Sequence, residues 1–373
     1  MARMWFDSHL DLAYLGVGGR EMRAVPALAG GPDLPAAVTF SSLREGRVGA
    51  ALGTVFIEPT DAGKTLAGAG FHAGDVESAS RAARAQIELY HAWAREGLMR
   101  VGFGGEAAGV RKSDALRVGV LIEGADGVRS PEELEWWVGR GVVAIGLTWA
   151  RASRYATGNA TDPSGDPGLS DLGRAMVRAM DQVRTDAGRS VVHDASHLSD
   201  RSLWQLFELT DRVVVASHSN ARAVVAKKAL EAGAIPADIR HKSNAAEIVL
   251  QRHLSDGAIK EIARRGGIVG LNVYSPFVIP GASRDRRATV EEWCEHADHV
   301  VQVVGHHRAI GIGTDMDGGF SAERLPVGMS EPRDLELLAQ GLVKRGWSEG
   351  AVEALAWGNW ARFWGIGAGE DGT

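Results

Sequence analysis

Ala309-Ile310-Gly311-Ile312-Gly313-Thr314-Asp315-Met316-Asp317-Gly318 is the stretch on which the fold turns. Its first five residues are apolar or glycine and do not alternate, the pattern of a strand buried on both faces. Polar residues follow at once, two of them acids, where a core strand has no use for charge. The same arrangement recurs upstream. Residues 4–6 run into Asp7-Ser8-His9-Leu10-Asp11, and residues 118–122 into Glu123-Gly124. Residues 190–192 run into His193-Asp194-Ala195-Ser196-His197, and residues 212–216 into Ser217-His218-Ser219. Three further apolar runs, at 49–57, 142–147 and 267–273, complete the set.

Helical patterns separate most of these runs, at 75–96, 131–139, 171–187, 200–210, 222–232, 256–265 and 290–304. Two more, at 334–344 and 349–356, close the chain. Ser130 before Pro131 and Ser170 before Asp171 read as N-terminal caps. Strands alternating with helices in this number predict an α/β fold, a (β/α)8 TIM barrel. Residues 1–373 read as one barrel domain, with mouth loops at about 13–47, 150–169 and 223–251. An open doubly wound sheet is the alternative. Its dinucleotide-binding form needs G-x-G-x-x-G after a strand, and neither Gly16-Val17-Gly18-Gly19 nor Gly102-Phe103-Gly104-Gly105 has that spacing.

Composition narrows the function classes. A net charge of -6 with the two signs well mixed leaves no basic face for nucleic acid. The single cysteine, Cys294, excludes an intrachain disulfide framework and a Cys-rich zinc module. No run reaches the ~18 apolar residues of a membrane span, and the first residues lack a basic-then-apolar leader. The expectation is a soluble cytoplasmic protein, with Asn159-Ala160-Thr161 a chance glycosylation match. Glycine is in excess, 48 of 373, where ~7% is usual. The tail 357–364, rich in tryptophan, reads as a core helix, with a homodimer face as the alternative.

In a barrel the C-terminal strand ends surround one mouth, which is where barrel enzymes place their chemistry. His9 and Asp11 are two apart, so on extended chain they point to one side and can chelate one ion. Glu123 can bridge two ions through its two oxygens. His197 and His218 offer imidazole nitrogens, and Asp315 a further oxygen. Such a mixed nitrogen and oxygen set suits zinc first, with manganese, iron or cobalt as alternatives. Two ions ~3.5–4 Å apart would share a hydroxide as nucleophile. His193 reads as a satisfied core histidine. His72, His91, His241, His296, His299, His306 and His307 read as surface or structural residues.

The ordered motifs D-S-H-L-D-L at 7–12, L-x-E-G-R-V-G-A at 43–50, I-E-G-A-D at 122–126 and G-L-T-W at 146–149 resemble the renal (membrane) dipeptidase family. The resemblance continues through D-A-S-H-L-S at 194–199, A-S-H-S-N-A-R at 216–222, G-I-G-T-D-M-D-G at 311–318 and W-S-E…N-W-A-R at 347–362. These are zinc peptidases of the amidohydrolase barrel superfamily. The resemblance implies a binuclear site in which His9 and Asp11 hold one zinc ion, His197 and His218 the other, and Glu123 bridges both. It implies that Asp315 orients the bridging hydroxide and shuttles its proton to the leaving amine. It also implies a small dipeptide substrate, with a D-residue tolerated at the C-terminal position, whose carboxylate meets Arg252.

Three departures stand out. The family's L-T-H becomes Leu147-Thr148-Trp149, so the histidine expected at the scissile carbonyl is replaced by a side chain that donates one N–H and carries no charge. The usual Arg-Asn pair is Arg252-His253. The segment between Arg222 and Arg252 is longer than the pattern expects. Trp149, Tyr155 and the loop 151–168 are expected to shape the pocket. A related amidohydrolase acting on N-acyl amino acids or lactams, or a non-catalytic barrel relative, are the alternatives that Trp149 raises.

Overall fold

The computed structural model describes residues 3–60, 68–104, 115–232 and 250–367. Eight strands form the barrel: β1 (Trp5–Leu10), β2 (Val48–Phe56), β3 (Leu116–Glu123), β4 (Val142–Gly146), β5 (Val192–Asp194), β6 (Val214–Val215), β7 (Val269–Leu271) and β8 (Ile310–Ile312). Neighbours in the chain are neighbours in the sheet, and every pairing is parallel. β8 returns to β1, with Asp7 opposite Ile312. A parallel bridge from Ala216 to Val269 joins β6 to β7 and closes the ring. All eight apolar runs of the sequence are strands of this barrel.

Every residue of β3 is buried, which is why its sequence shows a continuous apolar run rather than alternation. The two faces of the strands nevertheless separate. Val118, Val120 and Ile122 join the outer core beneath the helices, whereas Phe6, Leu52, Leu121 and Val215 fill the interior. Below them the C-terminal helix inserts Trp357, Trp360 and Trp364, and Phe6 stacks on Trp360 with ring centroids 5.9 Å apart. The tryptophan-rich tail therefore plugs the barrel floor from within the chain. A side chain at Gly311 would meet the Trp360 indole at 2.2 Å, so the floor and this glycine require each other. Near the mouth a Cβ on Gly313 would lie 1.8 Å from the Ser217 carbonyl. Part of the glycine excess thus reflects the tight approach of β6, β7 and β8.

The helices fall where the periodicity puts them, with three corrections. Ser170 caps helix α1 (Asp171–Gln182) by accepting from Gly173 N, but Ser130 makes no cap bond to the turn that follows it. That segment is a tight turn, Pro131–Glu133, followed by a short helix, Leu134–Val138. Helix α1 stops five residues short of 187, because Val183 turns extended and Arg184 pairs antiparallel with Ser190 around Gly188 at φ 71°. The last helix runs past 356, through a wide π turn at Ala354–Gly358, to Trp364. The mouth loop placed at 223–251 is described only as far as Ala232, at the end of the helix Arg222–Ala232, and from Leu250 onward; residues 233–249 lie outside the described residues.

Candidate metal centre and active site

The strand ends meet at the mouth. Glu123, the last residue of β3, is buried, and its two oxygens face different partners. Oε2 lies 3.2 Å from His9 Nε2; Oε1 lies 3.2 Å from His197 Nε2 and 3.5 Å from His218 Nε2. Asp11 Oδ1 and Asp315 Oδ1 lie 3.9 and 4.0 Å from His9 Nε2. The six residues singled out from strand ends therefore converge. Asp11 gets there differently from expectation: β1 ends at Leu10, and Asp11 begins a helical turn instead of continuing the extended chain.

Hydrogen bonds fix which histidine nitrogen is free. Ser217 Oγ donates to Asp194 Oδ2 at 2.6 Å, so its lone pairs accept from His9 Nδ1 at 3.1 Å and His218 Nδ1 at 2.8 Å. His197 Nδ1 donates to Asn159 Oδ1 at 3.1 Å. All three Nδ1 atoms carry the proton, and all three Nε2 atoms point into the site. The Nε2 atoms of His197 and His218 are 2.9 Å apart, two lone pairs directed at one place. His9 Nε2 is buried and makes no hydrogen bond. Imidazoles held through Nδ1, with Nε2 turned toward carboxylates, are what a metal centre requires.

The electrostatics agree. Burial alone would lower the His9 pKa, but the charges of Glu123, Asp315 and Asp11 overturn it and raise it to about 10. Burial pushes Asp315 well above the usual carboxylate range, whereas His9 and His197 outweigh burial at Glu123 and hold it ionised. Burial, followed by the field of Arg252, keeps His197 neutral, at about 4. A buried excess of carboxylate thus demands positive charge beside His9 Nε2, which a proton or a metal ion can supply.

Asp315 has φ 60°, a strained conformation for a residue other than glycine, and its Oδ2 accepts from Asn272 Nδ2 at 2.9 Å. Asp317, next but one, reaches away from the site. It accepts from the backbone of Ala37 and Val38 at 2.9 and 2.8 Å and pairs with buried Arg20. The loop after β8 is thereby locked to the loop after β1.

Above the ligand set lies a cavity of about 280 Å3. Trp149 lines it, with its ring 5.3 Å from Phe56 and 5.9 Å from His197. Arg252 is buried beside it, donating to the His218 carbonyl at 2.9 Å and Ser219 Oγ at 3.2 Å, with its guanidinium over Phe277. Its Nε is buried without a partner. Tyr155 is different. It is fully buried, donates its hydroxyl to the Val128 carbonyl, and is not among the cavity's lining residues. Its side chain is part of the core, and the expectation that it shapes the pocket is corrected. His193 packs away from the site against Asp181, as expected of a core histidine. Sequence reasoning missed Asn159, Asn272 and the wall residues Tyr14, Phe56, Glu58 and Phe320.

Comparison with known proteins agrees with this architecture. The family model for membrane dipeptidases (peptidase family M19) matches residues 2–239 and 225–368. A Klebsiella pneumoniae protein from the pqqA 5' region is 24% identical over 257 residues, 68% of this chain and 82% of that one. An uncharacterized dipeptidase from Schizosaccharomyces pombe is 28% identical over 53% of this chain and 40% of its own. Among solved structures, the probable dipeptidase PvdM from Pseudomonas aeruginosa superposes with a TM-score of 0.74 at 19% identity, covering 98% of this chain and 95% of that one. A metallopeptidase from Rhodobacter sphaeroides, bound to a phosphinate mimic of the dipeptide L-Ala-D-Ala, does so with a TM-score of 0.74 at 21% identity, covering 98% and 99%. The chain belongs to the membrane dipeptidase family, peptidase family M19, and is accordingly an enzyme of the metallo-dipeptidase class.

Proposed function

We propose that residues 1–373 form one barrel domain that hydrolyses small dipeptides at a two-zinc centre. The observation that carries this reading is the division of Glu123, one oxygen toward His9 and the other toward His197 and His218. His9 and Asp11 would hold one ion, His197 and His218 the second, with Glu123 between them. Bound there, two zinc ions would supply a water acidic enough to attack at neutral pH and positive charge to polarise the scissile carbonyl.

The chain's own residues supply the rest. Arg252, with an unpaired Nε, receives the substrate's carboxylate and sets its distance from the ligand set. Asp315, anchored by Asn272 and ionised once metal charge is bound beside it, would take the proton of the attacking water and deliver it to the departing nitrogen. Trp149 walls the site where charge develops and excludes water from it. The L-Ala-D-Ala mimic in the Rhodobacter relative supports a substrate with a D-residue at its C-terminal position. A cytoplasmic location accords with the lone buried thiol, Cys294, and with the lack, among the described residues, of any helix long and apolar enough to cross a membrane.

Metal content per chain tests the centre. Wild type should hold about two ions, and Glu123→Ala about one or none; an unchanged count would show that Glu123 is no ligand. Trp149 favours a second reading, in which the same centre cleaves N-acyl amino acids or lactams. Turnover of those compounds with dipeptides left intact would select it.

A further inference from the structure

The mouth has two differently charged ends. Arg252 is held by His218 and Ser219, just beyond β6. Glu58 lies two residues beyond the end of β2, on a short ribbon in which Glu58–Pro59 pairs with Gly70–Phe71. From β6, four steps round the ring lead to β2 either through β7, β8 and β1 or through β5, β4 and β3. The two strands are therefore opposite each other, and the cavity runs from Glu58 to His218 and Phe277, against which Arg252 packs.

Glu58 is half-buried and lines that cavity, and three of the cavity's six aromatic rings are Tyr14, Phe56 and Trp149. Tyr14 and Phe56 lie 5.2 Å apart and Phe56 and Trp149 5.3 Å apart, a continuous aromatic wall beside one carboxylate. Such a wall with an acid at its edge attracts a cation, and an alkyl stem can lie along the rings. Apart from the metal-ligand candidates Glu123 and Asp11, the charges around Glu58 are Arg151 and Asp33, so with Glu58 itself acids outnumber bases by one at this end. A dipeptide whose carboxylate sits at Arg252 crosses the metal-ligand candidates and presents its amino-terminal residue to this wall.

We propose that Glu58 is a specificity-determining residue that receives a cationic side chain, an ammonium or a guanidinium, on the amino-terminal residue of the substrate. This rests on the dipeptidase reading above. The carboxylate pairs with the side-chain cation, the rings of Tyr14, Phe56 and Trp149 cover the methylene stem, and neutral residues gain only the second contact.

Lysyl-alanine and norleucyl-alanine differ chiefly in that charge. Wild type should favour the lysyl compound by about fivefold or more in kcat/KM. Glu58→Gln should bring the ratio close to one, and Glu58→Arg should move the preference toward glutamyl-alanine. An unchanged lysyl-to-norleucyl ratio in Glu58→Gln would overturn the assignment. Calorimetric binding of free lysine and norleucine to the wild-type holoenzyme and to Glu58→Gln separates this from the peptidase reading, since it needs no turnover. If no dipeptide is cleaved, lysine should still bind wild type more tightly than norleucine, and only through Glu58; equal affinities would overturn the proposal.

Discussion

At the scale of single residues, Ser217 illustrates how much one hydroxyl can decide. By donating to Asp194 it fixes the protonation of both His9 and His218, and so presents two Nε2 atoms to the site. Ser217→Ala should lower zinc affinity about 10- to 100-fold, measured by competition with a chromophoric chelator; undiminished affinity would mean the imidazoles are oriented by packing alone. Trp149 belongs to the same scale. If it governs the environment of the scissile carbonyl, Trp149→His should raise dipeptide turnover or change its specificity, and a steady-state panel showing neither would remove that role. Residue identity made His9, Asp11, Glu123, His197, His218 and Asp315 legible in sequence, because histidines and acids gathered at the ends of several apolar strands exceed what a barrel core needs. Asn159 was not legible. It orients His197 from 38 positions away, and nothing local to an asparagine in a loop signals such a partner. Tyr155 erred the other way: an aromatic residue in a mouth loop can turn into the core as readily as into the pocket.

At the scale of elements, a polar contact between a helix and a strand contributes to the dependence of stability on pH. Asp181, near the end of α1, faces His193 Nε2 of β5 at 2.8 Å and accepts from Thr210 Oγ1 at 2.8 Å. Burial would raise its pKa, but the bonds from His193 and Thr210 outweigh burial and lower it below the ordinary 3.8. A carboxylate with a depressed folded-state pKa stabilises the fold above its unfolded value, and that contribution disappears as pH falls through the folded value. Asp181→Asn should therefore cost about 1 kcal/mol near neutral pH, discounted for partial exposure. The gap to wild type should close only below about pH 4, as read from urea unfolding midpoints; a gap that stays constant down to about pH 2 would contradict this account. Element type was legible wherever periodicity was strong. Element ends were not, since Ser130 and Ser170 look alike and only one of them finds a free N–H.

For the whole molecule, the C-terminal helix is the part whose role depends most on everything else. Trp360 is fully buried, donates to the Ile312 carbonyl at 3.2 Å and occupies the space left by Gly311. Trp360→Ala should destabilise the fold by about 3–5 kcal/mol in chemical denaturation, with little change in zinc affinity because the plug lies at the opposite end of the barrel from the mouth. A loss below about 1 kcal/mol would mean that the floor collapses around the gap. Sequence alone determined the barrel, its eight strands and the chemical character of its mouth, because doubly buried strands and misplaced polar ends are local patterns. Tertiary structure alone decided which oxygen of Glu123 meets which histidine, which nitrogen carries each proton, and that Glu58 and Arg252 lie near opposite strands of the mouth. Most of these are relations between residues tens to hundreds of positions apart, and only closure of the ring gathers them around one mouth.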